Sequence, residues 1–352
     1  LVLSLVGFAC GMSYASPLNN MTLRLYDQRE IVAGNYTTFC NDAEGYLWIG
    51  TDAGLMRFDG NHSDIYRNEE SDSCSISDNK IVSLFSDSRG DIWVGTVNGL
   101  NFYDRASDTF RLVTLPGMQL NGYITDIAEL PGNRILFIVA GIGLYVVDAS
   151  DFSVKGSHAA RRYNTGLKDD SSISAMVGVS GQKIVFSTRY GDIFRLSAGK
   201  NAVRIGGISG NVSKLAEEDG NHLIFATPYE VFRLDLASGA HSQLKVDGGE
   251  KIKITGLHSA GGVSYLSTAA SGIWEIVTGS ESIRRSGRLF STTLDLPLLK
   301  IGSVFVDNRG NLWMGCNHRG VAIAPASDSP FINKSLNNVF KEFGGEVSSM
   351  IV

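Results

Sequence analysis

The sequence predicts an all-β fold: a seven-bladed β-propeller of four-stranded antiparallel blades. Three observations carry that expectation. First, one phrase recurs, as Asp42-x-x-Gly45-x-Leu47-Trp48-Ile49-Gly50-Thr51-x-x-Gly54-Leu55, as Asp87-x-x-Gly90-x-Ile92-Trp93-Val94-Gly95-Thr96-x-x-Gly99-Leu100, and as Asp307-x-x-Gly310-x-Leu312-Trp313-Met314-Gly315. Second, the tryptophans are 45 and then 220 residues apart, and 220 is five times 44, so a period near 44 runs through the gap. Periods of that length mark solenoids and propellers. Third, between residues 35 and 330 short β-branched and aromatic runs are punctuated by Gly, Asp and Asn, and no stretch keeps a helical apolar period over three turns.

Faded copies fill the gap at Arg134-Ile-Leu-Phe137, Lys183-Ile-Val185-Phe186, His222-Leu-Ile224-Phe225 and Gly262-Val-Ser-Tyr265. The tryptophan position is then held by Trp48, Trp93, Phe137, Val185, Ile224, Tyr265 and Trp313, at intervals of 45, 44, 48, 39, 41 and 48. Insertions fall in loops while seven units survive. Within the phrase, Asp42, Asp87 and Asp307 open a tight turn, because a short carboxylate can accept backbone N–H bonds two residues on. Gly45, Gly90 and Gly310 tolerate the positive φ such a turn needs. The apolar-Trp-apolar run that follows is too hydrophobic for an exposed face and belongs to a strand covered on both sides. Gly50, Gly95 and Gly315 leave room where a neighbouring sheet comes close. Gly54-Leu55, Gly99-Leu100 and Gly320-Val321 turn the chain into a third strand, which ends at Phe58-Asp59-Gly60 and Tyr103-Asp104. Four strands per unit, repeated radially, make a propeller blade. The tryptophans are expected to wedge blade against blade.

Composition agrees with this architecture. The chain has 352 residues, 43% hydrophobic and 19% charged, and its 40 glycines suit a turn-rich β fold. A net charge of −5, with no basic stripe, argues against a nucleic-acid surface. Leu1 to Ala15 is an apolar run closing on the small-x-small pattern Ser13-Tyr14-Ala15; residues 1–15 read as a signal-peptide remnant, short for a membrane span. The propeller is expected over residues 16–330. Residues 331–352 read as a linker and the first strand of a following, truncated second propeller. A ring must hide its last edge, and the alternating Thr22-Leu-Arg-Leu-Tyr26 is expected to close blade seven against Val321–Ala324; the segment around Phe331 competes for that place. Cys40, Cys74 and Cys316 are too scattered for a disulfide framework, although ring closure brings a Cys40–Cys316 pairing into reach.

The phrase, followed by Phe58-Asp59 or Tyr103-Asp104, resembles the two-component regulator propeller repeat. That repeat builds the extracytoplasmic sensor half of hybrid two-component systems in gut Bacteroidetes. Tyr66 to Val82 resembles the family's inter-blade linker, and Tyr163 to Ser174 does so more loosely. The resemblance runs over about residues 22–352. It is strongest in blades one and two and faint in blades three to six; in blade seven Cys316 replaces the Thr and one extra residue precedes Gly320. It implies a periplasmic, signal-receiving N-terminal fragment. A second propeller, an immunoglobulin-like domain, a membrane span and a histidine-kinase core would follow in the full-length protein, a homodimer attached to the inner membrane only through that span. The implied ligand is an oligosaccharide from a polysaccharide being degraded.

No catalytic set is legible. The six histidines never pair at metal-ligating spacings, no His lies beside a Cys with zinc spacing, and no nucleophile elbow or phosphate loop occurs. Neither a cofactor nor a metal is expected, and the segment is not expected to be an enzyme. The loops joining second and third strands gather at one mouth of a propeller's channel. They offer Asp52, Asn98, Arg189, Tyr190, Tyr229, Asn317, His318 and Arg319 as candidate ligand-binding residues. Aromatic rings beside amides, guanidinium groups and carboxylates suit a saccharide. Two alternatives stay open: an exported lyase or glycosidase, which needs an acid–base pair at that mouth, and a structural or interaction propeller with no ligand of its own.

Overall fold

The computed structural model describes residues 24–26, 34–114, 122–153, 159–181, 183–286 and 299–326. The expected signal remnant (1–15) and trailing linker (331–352) lie outside the described residues. Seven sheets follow one another around a ring. Blade one is typical, with antiparallel strands Tyr36–Asn41, Leu47–Thr51, Leu55–Phe58 and Ser63–Tyr66 laid from the axis outward in sequence order. Every residue assigned to the tryptophan position falls on a second strand: Trp93 in Ile92–Thr96, Phe137 in Arg134–Val139, Val185 in Lys183–Thr188, Ile224 in His222–Ala226, Tyr265 in Val263–Thr268 and Trp313 in Leu312–Cys316. Helix among the described residues is limited to three short 3-10 segments.

Ring closure uses the N-terminal strand. Arg24–Tyr26 pairs antiparallel with the third strand of blade seven, Leu25 opposite Ala322, so the outermost strand of the last blade comes from the start of the chain. Blade six departs from four strands. The linker residues Lys245 and Val246 run parallel to its outer strand, opposite Ser282 and Ile283, and add a short fifth.

The core is divided into seven apolar clusters, one at each joint between neighbouring blades. Trp48 and Trp93 are fully buried and Trp313 is 6% exposed. Each meets rings of the next blade: Trp48 meets Tyr103 at 4.7 Å, Trp93 meets Phe152 at 5.0 Å and Trp313 meets Phe58 at 6.3 Å between centroids. Close approach at these joints explains one set of glycines. A Cβ on Gly50 would lie 2.8 Å from Ile81 Cγ2 of blade two, and one on Gly315 would lie 2.3 Å from Tyr36 Cβ of blade one. Cys40 packs toward blade two and Cys316 toward blade six, and both are buried free thiols, so the Cys40–Cys316 pairing does not form.

Hydroxyls lace the joints near the axis. The first residues of most inner strands slip out of register with the second strand, as at Tyr36/Thr38, Ile81/Ser83 and Ile301/Ser303, and such bulges leave carbonyls unpaired within their own sheet. The neighbouring blade supplies the donor. Thr37 Oγ1 donates to Ile81 O at 2.9 Å, Ser83 Oγ to Ile124 O at 2.9 Å, Thr255 Oγ1 to Ile301 O at 2.6 Å and Ser303 Oγ to Tyr36 O at 3.2 Å.

Candidate ligand-binding surfaces

The Asp-x-x-Gly turn is built around its carboxylate. Asp42 Oδ1 accepts the N–H groups of Glu44 and Tyr46, both at 3.0 Å, and Oδ2 accepts the indole N–H of Trp48 at 2.9 Å. Asp87 with Trp93 (3.1 Å) and Asp307 with Trp313 (2.8 Å) repeat the arrangement. One side chain thus fixes the turn and satisfies the polar atom of the buried ring. The indole bond was not foreseen from the sequence, although Asp and Trp stand six residues apart in all three copies.

At the opposite end of the blades lie the loops after the second strands. Thr51 Oγ1 donates to Gly54 O at 2.7 Å and accepts Ala53 N–H at 3.0 Å, and Thr96 does the same with Gly99 and Asn98. The structure brings some of the expected ligand residues together. Asp52 accepts from Asn35 N at 3.0 Å and Asn35 Nδ2 at 2.6 Å, and these bonds, with His318 near by, hold its carboxyl below the usual range despite partial burial. His318 donates its backbone N–H to Gly34 O at 3.2 Å across the joint of blades seven and one. The Arg189 guanidinium stacks 5.2 Å over the Tyr190 ring. Tyr190 and Tyr229 are each 62% exposed, the most exposed of the large apolar side chains among the described residues. Asn98 instead turns its amide to Ser77 O at 3.4 Å, Asn317 is half-buried under Gly302, and Arg319 is exposed.

What lines the axis was not legible in the sequence. Inner strands of all seven blades wall a cavity of about 200 Å³. Burial there raises the Asp126 carboxyl to about 6, against the pull of Lys214 and a bond from Met176 N–H at 3.0 Å. Burial also lowers His258 to about 4, with its ring 5.0 Å from Phe305, so this imidazole is neutral at pH 7. Glu218, Asp219 and His222 form the single group with metal-ligating proximity among the described residues, yet Glu218 is taken up by a two-pronged bond to Arg233 at 2.5 and 2.6 Å.

Comparison with known proteins places this geometry. The family model of the two-component regulator propeller matches residues 31–53 and 75–98. No curated protein sequence matches. The extracellular domain of BT4673 from B. thetaiotaomicron, described as a hybrid two-component system, superposes with a TM-score of 0.72 at 18% identity, over 88% of this chain and 43% of that one. That of BT3049, from the same organism and described in the same way, gives 0.70 at 15% identity, over 88% and 42%. The chain therefore spans less than half the length of these domains. A streptogramin B lyase shares the fold at a TM-score of 0.67 and 13% identity, over 86% of this chain and 97% of that one. The chain is a seven-bladed propeller carrying the two-component regulator repeat.

Proposed function

We propose that the chain is the ligand-sensing propeller of an extracytoplasmic sensor in a hybrid two-component system. It binds, or helps to bind, a polysaccharide-derived oligosaccharide and passes occupancy on to a histidine kinase outside this chain. The periplasm is the compartment this reading requires, with full-length dimers transmitting the signal and the membrane met only through a downstream span. The observation that supports it most is the mouth formed by the second-to-third-strand loops. Arg189 stacked on exposed Tyr190 in blade four and exposed Tyr229 in blade five offer ring faces with a guanidinium, and the Asp52–Asn35 pair in blade one adds a fixed carboxylate and amide, the kinds of group that sugar rings and hydroxyls need. Asp52 at this mouth is occupied by two bonds from Asn35 and held in its ionised form, which leaves it no proton to give as a general acid and supports binding over hydrolysis.

The test is a thermal-shift screen of the purified chain against oligosaccharides from digested polysaccharides. A ligand at one hundred times its dissociation constant adds about 2.7 kcal/mol of stability. The reading expects at least one stabilising oligosaccharide whose effect disappears in a Tyr190→Ala, Tyr229→Ala double variant. Breakdown of a stabilising sugar on incubation would turn the assignment toward the enzyme.

A further inference from the structure

At the end of the ring away from that mouth, the three intact Asp-x-x-Gly turns each face a neighbouring blade, and two of those joints are filled. Between blades one and two, Ala43 sits where a Cβ on Gly90 would meet it at 2.3 Å, and Glu44 binds Arg105 at 2.8 Å. Between blades two and three, Arg89 bridges Asp91 at 2.8 Å and Ala149 O at 3.1 Å. The joint of blades seven and one has Arg309 at the Glu44 position and Gly60 at the Arg105 position, so the ion pair has no counterpart. The change is built into the backbone. Blade one turns earlier, with Phe58 opposite Ser63 and Gly60 at φ +106°, whereas in blade two Asp104 still pairs with Thr109. A cleft of about 180 Å³ results.

Its lining has recognition chemistry. Trp313 and Tyr26 stack at 6.1 Å between centroids along one side. Asn41 gives its amide N–H to Tyr46 O at 3.3 Å, while its Oδ1 is buried with no hydrogen-bond partner among the described residues. Whichever way that amide is turned, one of its poles stays unsatisfied, which costs free energy that a ligand can recover. Arg309 makes no ion pair among the described residues, and Asn308 and Asp59 stand exposed at the rim. We infer that this cleft is a saccharide subsite, separate from the channel mouth, that takes a single neutral pyranose ring. The volume, below the ~300–1,000 Å³ of pockets for drug-sized molecules, suits one ring. Donors on Arg309 and Asn308 beside acceptors on Asn41 and Asp59 match vicinal hydroxyls, which both give and accept. The carboxylates of Asp59 and Asp307 disfavour an anionic sugar.

The experiment is a titration of the ¹⁵N-labelled chain with the methyl α-pyranosides of glucose, galactose and mannose, and with glucuronate for comparison. It is read on the indole N–H signals of the four tryptophans, assigned through single Trp→Phe variants. The inference expects at least one neutral glycoside to move the Trp313 signal while those of Trp48, Trp93 and Trp274 stay still. Arg309→Ala with Asn308→Ala should abolish that shift without changing the melting temperature, and the tyrosine double variant at the channel mouth should leave it intact. A Trp313 signal that ignores all three glycosides, that answers glucuronate instead, or that still moves in the Arg309/Asn308 variant overturns the inference. Loss of binding only in the tyrosine variant sinks the subsite and keeps the sensor reading.

Discussion

The joint between blades one and two and the joint between blades seven and one are made from the same phrase and end differently. In the first, Trp48 is fully buried, an Ala–Gly contact closes the gap, and Arg105 reaches back over the Asp42 turn to Glu44. In the second, Trp313 keeps 6% exposure, the covering ring is Tyr26 from the start of the chain, and a cleft remains. Consecutive blades pack through segments close in sequence, whereas the closing joint must be assembled from the two ends of the ring. The lesson is that a repeat motif specifies the wedge, and the residues flanking it decide whether the joint is sealed.

Several experiments can break or sharpen that contrast. The largest effect is expected from the wedges. Trp93→Ala should cost roughly 3–5 kcal/mol in chemical denaturation, and Trp313→Ala should fall at or below the lower end of that range. Equal costs would mean that the closing joint is sealed as tightly as its neighbours. Next comes the carboxylate. Asp87→Ala strands the Trp93 indole N–H and the N–H groups of Arg89 and Asp91, for about 1–3 kcal/mol, and Asp307→Ala should cost less because water can reach the freed donors. A smaller effect is expected from Arg105→Gly, which imports the blade-one residue into blade two; the exposed pair with Glu44 makes its cost about 0–1 kcal/mol by the same denaturation series.

The subtlest prediction concerns pH. Asp126 has its folded-state value raised to about 6 by burial, so the folded protein holds that proton more tightly than the unfolded chain does. Its contribution is favourable below the ordinary carboxylate range near 4 and is lost as pH rises through 6. Asp126→Asn should therefore gain melting temperature relative to the parent between pH 4 and pH 7, with Met176 N–H still accepted by the amide oxygen. A constant difference across that range would refute the shift.

Much of this was legible in the sequence because the repeat is periodic. The Trp-to-Phe-to-Val substitutions at one position preserve apolar character while losing the wording, so all seven second strands could be placed. The alternation in residues 22–26 likewise located the closing strand. Other features need three dimensions. Asp126 meets Met176 across blades, fifty residues away, and nothing local marks either as an axial residue. The two buried thiols share adjacent blades, but opposite faces of each sheet alternate along a strand, and that parity sends Cys40 and Cys316 to different joints. Among the mouth residues, loop position was readable and side-chain direction was not: Asn317 turns inward while Tyr190 and Tyr229 stand out. The Gly60-for-Arg105 exchange was visible in the aligned phrases, and its consequence depended on where the hairpin turns.

Hydrogen–deuterium exchange with and without a mixed digest of oligosaccharides tests the whole account most directly, since a ligand slows local opening where it binds. Peptides covering residues 187–191, 227–231 and 307–313 should gain protection, and the peptide covering 87–93, at the filled joint of blades two and three, should not. Protection spread evenly over all the turns, or absent from every one, would contradict the division into sealed joints and recognition surfaces.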